Sequence, residues 1–196
     1  MDFYVNNEKL DIVLEDEKTI GDVLKSFEAE CDKNNATTIN ITLNGKNIGA
    51  DEFDSIFTEP INDDTKLELI IVTQDEIKAS FQNQKAECLE LSEMLLNLPV
   101  QLQSGKDKEA TLLIAKLADF IEKFCHTATL SALFPAIHEK LSIDEKSVSE
   151  FFHDFSQILN DFEQAIAAKD TVLMGDLAEY EISPRLQSIA KTIEEL

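Results

Sequence analysis

Glycine is scarce in this chain, five in 196 residues, and basic residues are few, 17 against 39 acidic ones. Each shortage excludes something. A phosphate-cradling loop needs several glycines whose backbone amides close on the ligand. Gly105-Lys106 stands alone, without the upstream glycine of such a loop. The formal net charge is −22. A surface of that sign repels phosphate backbones and anionic lipid headgroups, so neither nucleic acid nor a membrane is expected as a partner. Both halves share the excess: residues 1–76 hold 19 acidic and 6 basic side chains (−13), and residues 77–196 hold 20 and 11 (−9). Its plain reading is solubility. Its sharper reading is a basic protein partner.

Cysteine is short as well. Cys31, Cys88 and Cys125 are odd in number, widely spaced and without a Cys-x-x-Cys pair. They fit reduced thiols of a cytoplasmic protein better than a disulfide framework or a thiolate metal site. No Gly-x-Ser-x-Gly is present. Cys125 and His126 are adjacent, which sets them about 100° apart on a helix, a poor nucleophile–base pair. No apolar run approaches the ~20 residues of a membrane-spanning helix. The opening Met1 to Glu8 lacks a basic segment followed by an apolar one, so no signal peptide is expected. No cofactor is expected.

What is there falls into two parts. In residues 1–73, Phe3-Tyr4-Val5, the turn Asn6-Asn7 and the alternating Leu10, Ile12 and Leu14 predict a hairpin. Thr19 with Asp22 three residues on is a capping-box start. Ile20, Val23, Leu24, Phe27 and Cys31 then predict a helix to about Asn34. Ile39, Ile41 and Leu43 alternate, Asn44-Gly45 is a strong turn, and Lys46 to Ile48 returns as a short strand. Glu52 to Phe57 suits a short helix or loop. Leu67 to Val72 reads as a strand near a sheet centre.

This order, together with the turn Leu43-Asn44-Gly45-Lys46-Asn47-Ile48, resembles the ubiquitin-like β-grasp fold over roughly the first 70 residues. Modifiers of that family end in a diglycine. Here Ile71-Val72-Thr73 runs on into Gln74, with no diglycine, so conjugation and sulfur-carrier chemistry are not expected. What the resemblance implies is binding through the sheet face or its edge.

In residues 74–196 the pattern turns helical. Four helices are predicted, at about 75–96, 107–130, 145–168 and 170–196, with Val100 to Lys106 as a connection. Short joints favour an antiparallel four-helix bundle, so the fold class is α+β. Val148, Phe152, Phe155, Leu159, Phe162 and Ile166 make a core stripe on the third helix. This half also resembles uncharacterised bacterial helical proteins, on Leu102 to Lys106 and Gly175 to Pro184.

Three groups of polar residues are candidates for chemistry. Glu150-x-x-His153 matches half of a di-iron signature, but a second Glu-x-x-His is missing, and Glu122 and His126 are four apart. No metal site is expected. Glu87, Glu90 and Glu93 on one helix, with Asp176 and Glu179 on another, are the residues a Mg²⁺-dependent nucleotide hydrolase would use. The third group is the last helix, Asp170 to Leu186, which carries Gly175 and Pro184, both disfavoured in helix interiors. With Val172, Leu173, Leu177, Tyr180 and Leu186 facing inward, Asp176, Glu179 and Glu181 form a polar edge. Gly175 would admit a neighbouring helix and Pro184 would bend the chain. Gly175, Asp176, Glu179, Tyr180, Glu181, Pro184 and Arg185 are read as a partner-binding or packing groove. No catalytic residues are assigned. The expected function is a non-catalytic cytoplasmic adaptor or chaperone-like factor, with the hydrolase as its rival.

Overall fold

The structure, a computed structural model, describes residues 1–104 and 107–196. The Gly105-Lys106 pair weighed above lies outside the described residues. The chain divides into two compact units, Met1–Glu76 and Ile77–Leu196.

The first unit is a mixed sheet with helices. Its elements are β1 (Asp2–Val5), β2 (Glu8–Leu10), α1 (Ile20–Lys33), β3 (Ala36–Leu43), β4 (Lys46–Asn47), α2 (Phe53–Ile56) and β5 (Lys66–Thr73). The strand order is β2-β1-β5-β3-β4, with β1 parallel to β5 and the other pairs antiparallel. Both hairpin turns need left-handed backbone. Asn6 and Asn7 have φ of 49° and 68°, and Asn44 and Gly45 have 52° and 80°. The first asparagine of each turn also reaches β5. Asn6 Oδ1 accepts from the Ile71 N–H at 2.9 Å, and Asn44 Oδ1 accepts from the Lys66 N–H at 2.9 Å. The two turns thus fix opposite ends of the central strand. Thr19 caps α1 in a complete capping box with Asp22. The core gathers Phe3, Ile20, Leu24, Leu43, Leu67 and Leu69.

The second strand of the first hairpin is shorter than the alternation predicts. Phe3 pairs with Leu10, so β1 runs out before Ile12 and Leu14 find a partner. Both are 37% exposed.

The second unit is mostly helical. Its elements are α3 (Gln74–Leu96), α4 (Leu98–Gln103), α5 (Asp107–Ser131), α6 (Pro135–His138), β6 (Ser142–Ile143), β7 (Lys146–Ser147), α7 (Val148–Ala168), α8 (Thr171–Asp176), a π-helical segment (Leu177–Ile182) and α9 (Ser183–Glu194). Thr73 and Glu76 form the capping box that starts α3. Phe124 on α5 lies 5.7 Å from Phe81 on α3 and 5.6 Å from Phe152 on α7, centroid to centroid. One chain of rings therefore ties three helices together, at about 0.5–1.5 kcal/mol per pair beyond area burial.

Two expectations fail here. The connection predicted from Val100 belongs to α4, which begins at Leu98 with Pro99 in its first turn. Proline is tolerated there because its missing N–H would have had no helical partner anyway. The third helix starts at Val148, and the residues before it form the β6–β7 hairpin. Its turn holds Asp144 and Glu145 at φ of 51° and 64°. Neither is glycine, and Asp144 alone is a weak turn signal. The buried face of α7 takes Phe151 besides Phe155 and Phe162, while Phe152, Leu159 and Ile166 are half-buried.

Candidate functional site

Asp170 starts the last helix by accepting the Leu173 N–H at 3.0 Å. Seven residues later the backbone widens. Across Leu177–Ile182 it is π-helical, and the Ser183 N–H donates to the Ala178 carbonyl five residues back. The extra residue per turn resets which side faces inward. Met174, Ala178, Ile182 and Leu186 recur every four residues and are buried. The inward set expected from the sequence is therefore wrong apart from Leu186. Val172 is 71% exposed, Tyr180 65% and Leu173 42%, and Leu177 is half-buried.

The seven residues of the predicted groove separate into three groups: Gly175, the exposed set, and the Glu181–Arg185 pair. Gly175 is buried against α4, where an added Cβ would lie 2.9 Å from Pro99 Cγ. It permits close helix approach. Asp176, Glu179, Tyr180 and Pro184 are exposed. The Glu179 carboxylate raises the Tyr180 phenol above its ordinary pKa, first through a side-chain hydrogen bond. Arg185 Nη1 donates to Glu181 Oε2 at 2.7 Å and to the Glu181 carbonyl at 2.8 Å. Pro184 sits in the first turn of α9, directly after the π segment. Pro184 and Arg185 also border a recess of about 210 Å³ with Phe151 and the Lys146–Asp154 ion pair of 2.7 Å.

Buried polar contacts that the sequence reading missed lie deeper. The Ser92 and Ser183 hydroxyls meet at 2.6 Å, and Gln187 Nε2 donates to Ser92 Oγ at 3.1 Å. Gln84 Nε2 donates to Thr127 Oγ1 at 2.7 Å, while Gln84 Oε1 has no partner among the described residues. The signal was a small polar residue on an otherwise apolar helix face, as Ser92 is beside Leu91 and Leu95.

Three of the carboxylates weighed for chemistry, Glu150, Glu87 and Glu90, are engaged within the structure. Glu150 accepts from the Ser147 backbone N–H at 3.0 Å and from its hydroxyl at 2.6 Å, which holds its carboxyl below the usual range. It is a helix cap, and His153 beside it is exposed. Glu87 pairs with Lys123 at 3.8 Å, and Glu90 with Lys116 at 3.6 Å. Among the described residues no three His, Cys, Asp or Glu side chains converge to hold a metal. Burial pushes the Cys31, Cys88 and Cys125 thiols up, so none is an activated nucleophile. Among the described residues no helix is long and apolar enough to cross a membrane.

The first unit carries an open apolar groove of about 430 Å³ between α1 and β3. Ile39 and Phe53 line it and are 42% and 37% exposed. Glu28 and Lys25 stand on its α1 rim. Glu28 accepts from the Thr37 and Thr38 hydroxyls at 3.3 and 3.1 Å, and Lys25 Nζ lies 5.0 Å over the Phe57 ring. The β3–β5 register shifts between Thr38 and Asn40, which marks a bulge at Ile39. On its other side β3 is paired with β4 at Thr42 and Leu43, and Ile48 N–H donates to the Ile41 carbonyl. Among the described residues no strand lies beside Ala36–Asn40 on that edge.

A family model described as the TP0873 N-terminal domain matches residues 1–73. The chain is 29% identical over 193 residues to an uncharacterized protein of Treponema pallidum (strain Nichols), covering 98% of this chain and 96% of that one. No solved structure matches. A second family model, described as Domain of unknown function (DUF8042), matches residues 80–192, more than half of the chain, and the chain belongs to that family.

Proposed function

We propose that this protein is a non-catalytic cytoplasmic adaptor or chaperone-like factor that binds protein partners. We read its first unit as a β-grasp domain, because the parallel β1–β5 pair is flanked by two hairpins with α1 crossing between them in sequence. We read its helical unit as an antiparallel four-helix bundle, built on α3, α5, α7 and the run from α8 to α9. The observation that carries the functional reading is the α1–β3 groove: exposed Ile39 and Phe53 beside an open strand edge, on a unit of net charge −13. Apolar surface under a field of one sign suits a protein partner of the opposite sign.

The test is affinity capture from lysate with the full chain, at low and at high salt. Basic proteins are expected at low salt and are expected to elute as salt screens the pairing. Absence of any salt-sensitive basic partner would count against the reading. So would Mg²⁺-dependent nucleotide turnover that is lost in Glu90→Gln and Asp176→Asn.

A further inference from the structure

We propose that the β3 edge takes an extended segment of the partner as an added strand, with β-branched side chains at alternate positions and basic side chains at its ends. The inference rests on the interaction reading above and names the chemistry of the partner.

Three observations converge on it. The first is the edge itself. Thr37 to Asn40 have β5 on one side and no strand on the other among the described residues. Backbone N–H and C=O groups on such an edge template another chain. The second is the groove beside that edge. A strand alternates its side chains, so every second residue of an added segment would point to one face. On the α1 face those residues meet Leu24, Ile41, Phe53 and Phe57. Apolar β-branched residues fit that floor. The third is charge. Glu28 stands on the rim, Asp32 follows one turn on along α1, and exposed Asp51 and Asp54 flank Phe53 in sequence. Lys25 is engaged over Phe57, and Lys46 is paired with Glu52. The ends of a segment lying along the groove therefore meet a predominantly negative rim, and Lys or Arg is favoured there.

The edge has the marks of a managed one. The bulge at Ile39 twists the strand away from flat edge-to-edge pairing, which works against a second copy of this chain as the occupant. Two copies would also bring like charge together, since each first unit carries −13.

The experiment selects binders to the full chain from a random library of peptides of about twelve residues, long enough to span β3. Selected peptides are then measured against wild type, Ile39→Lys, Glu28→Lys and the control Val13→Lys, with amide hydrogen exchange read in parallel. Val13 is 89% exposed and lies just past the opposite edge strand, β2. The peptides are expected to carry Val or Ile at alternate positions with Lys or Arg towards their ends, to weaken as salt rises and to protect the amides of Thr37 to Asn40. Ile39→Lys is expected to weaken them about tenfold and Glu28→Lys about threefold, with Val13→Lys without effect. Ile39 is exposed and Glu28 is half-buried, so thermal melting of each variant is read beside its affinity to separate lost binding from lost folding. The proposal is overturned if no peptide is selected. It is also overturned if protection falls on Glu8 to Leu14 or on the helical unit. Protection of Thr37 to Asn40 that grows with protein concentration alone would assign the edge to a second copy instead. Basic lysate proteins captured equally by wild type and Ile39→Lys would leave the interaction reading standing and remove the strand site.

Discussion

Gly175 shows how one residue fixes a helix contact. Alanine there would gain about 1 kcal/mol of helix propensity, since glycine is the costlier helix residue. It would also drive a methyl group to 2.9 Å from Pro99 Cγ, on a ring that cannot swing aside. Overpacking of that kind costs about 1–3 kcal/mol. Gly175→Ala is therefore expected to lose about 1 kcal/mol net by denaturant melting. In a Pro99→Ala background the same change is expected to be neutral or stabilising, which a double-mutant cycle reads directly. Ser147 acts through a cap. Ser147→Ala removes the acceptor of the Glu150 N–H and the donor to the Glu150 carboxylate, at about 1 kcal/mol. The cap also sets a pH response. Asp22 and Glu150 both have folded pKa values held below the ordinary carboxylate range, by Thr19 and Ser147 respectively. Their contribution is whole above the unfolded value, about pH 4, and is lost as pH falls through the folded value. The melting gap between Ser147→Ala and wild type is expected to narrow in acid, since the bond to the carboxylate is lost there while the Glu150 N–H still needs its cap; an equal gap at pH 3 and pH 7 would contradict this.

Individual elements were legible wherever the signal was local. Thr19-x-x-Asp22, the Asn44-Gly45 turn and the apolar repeats of α1, α3, α5 and α7 each carry their own instruction in a few residues. Elements that depend on a neighbour were not. The β6–β7 hairpin has two residues per strand, too few for an alternation. The π segment has no local code. Met174, Ala178 and Ile182 are buried along it and Pro184 withholds an N–H just after it, while a reading at 3.6 residues per turn puts Tyr180 on the wrong side. Among the residues of the predicted groove, the close approach at Gly175 was legible, whereas the pairing of Glu181 with Arg185 was not. The α1–β3 groove was not, because its opening depends on how short β4 is. The hairpin supplies the test at this scale. Glu145 is held at φ 64°, a conformation that costs a side-chain-bearing residue about 1–2 kcal/mol. Glu145→Gly is expected to raise stability by about 0.5–1 kcal/mol after glycine's added unfolded-state entropy is subtracted. Destabilisation on calorimetry would mean that the carboxylate has a structural role.

For the whole molecule the dominant quantity is charge. At −22 over 196 residues the compact state repels itself, and few basic side chains offset it. Raising salt from low to physiological levels is expected to raise the melting temperature, as the screening length falls to about 8 Å. A flat or falling melting temperature would mean that surface ion pairs such as Lys9–Asp2 and Lys33–Glu30 outweigh the repulsion. The sheet of the first unit has a consequence in time as well. β5 lies between β1 and β3, yet it is the last strand of the sheet in the chain. A ribosome therefore delivers the centre after the flanks. Until Thr73 has emerged, β1 and β3 are each missing a neighbour, and the turn asparagines Asn6 and Asn44 have nothing to hold. Folding of this unit is a closing step rather than a progressive one, and its aggregation-prone interval ends when the final strand slides into place.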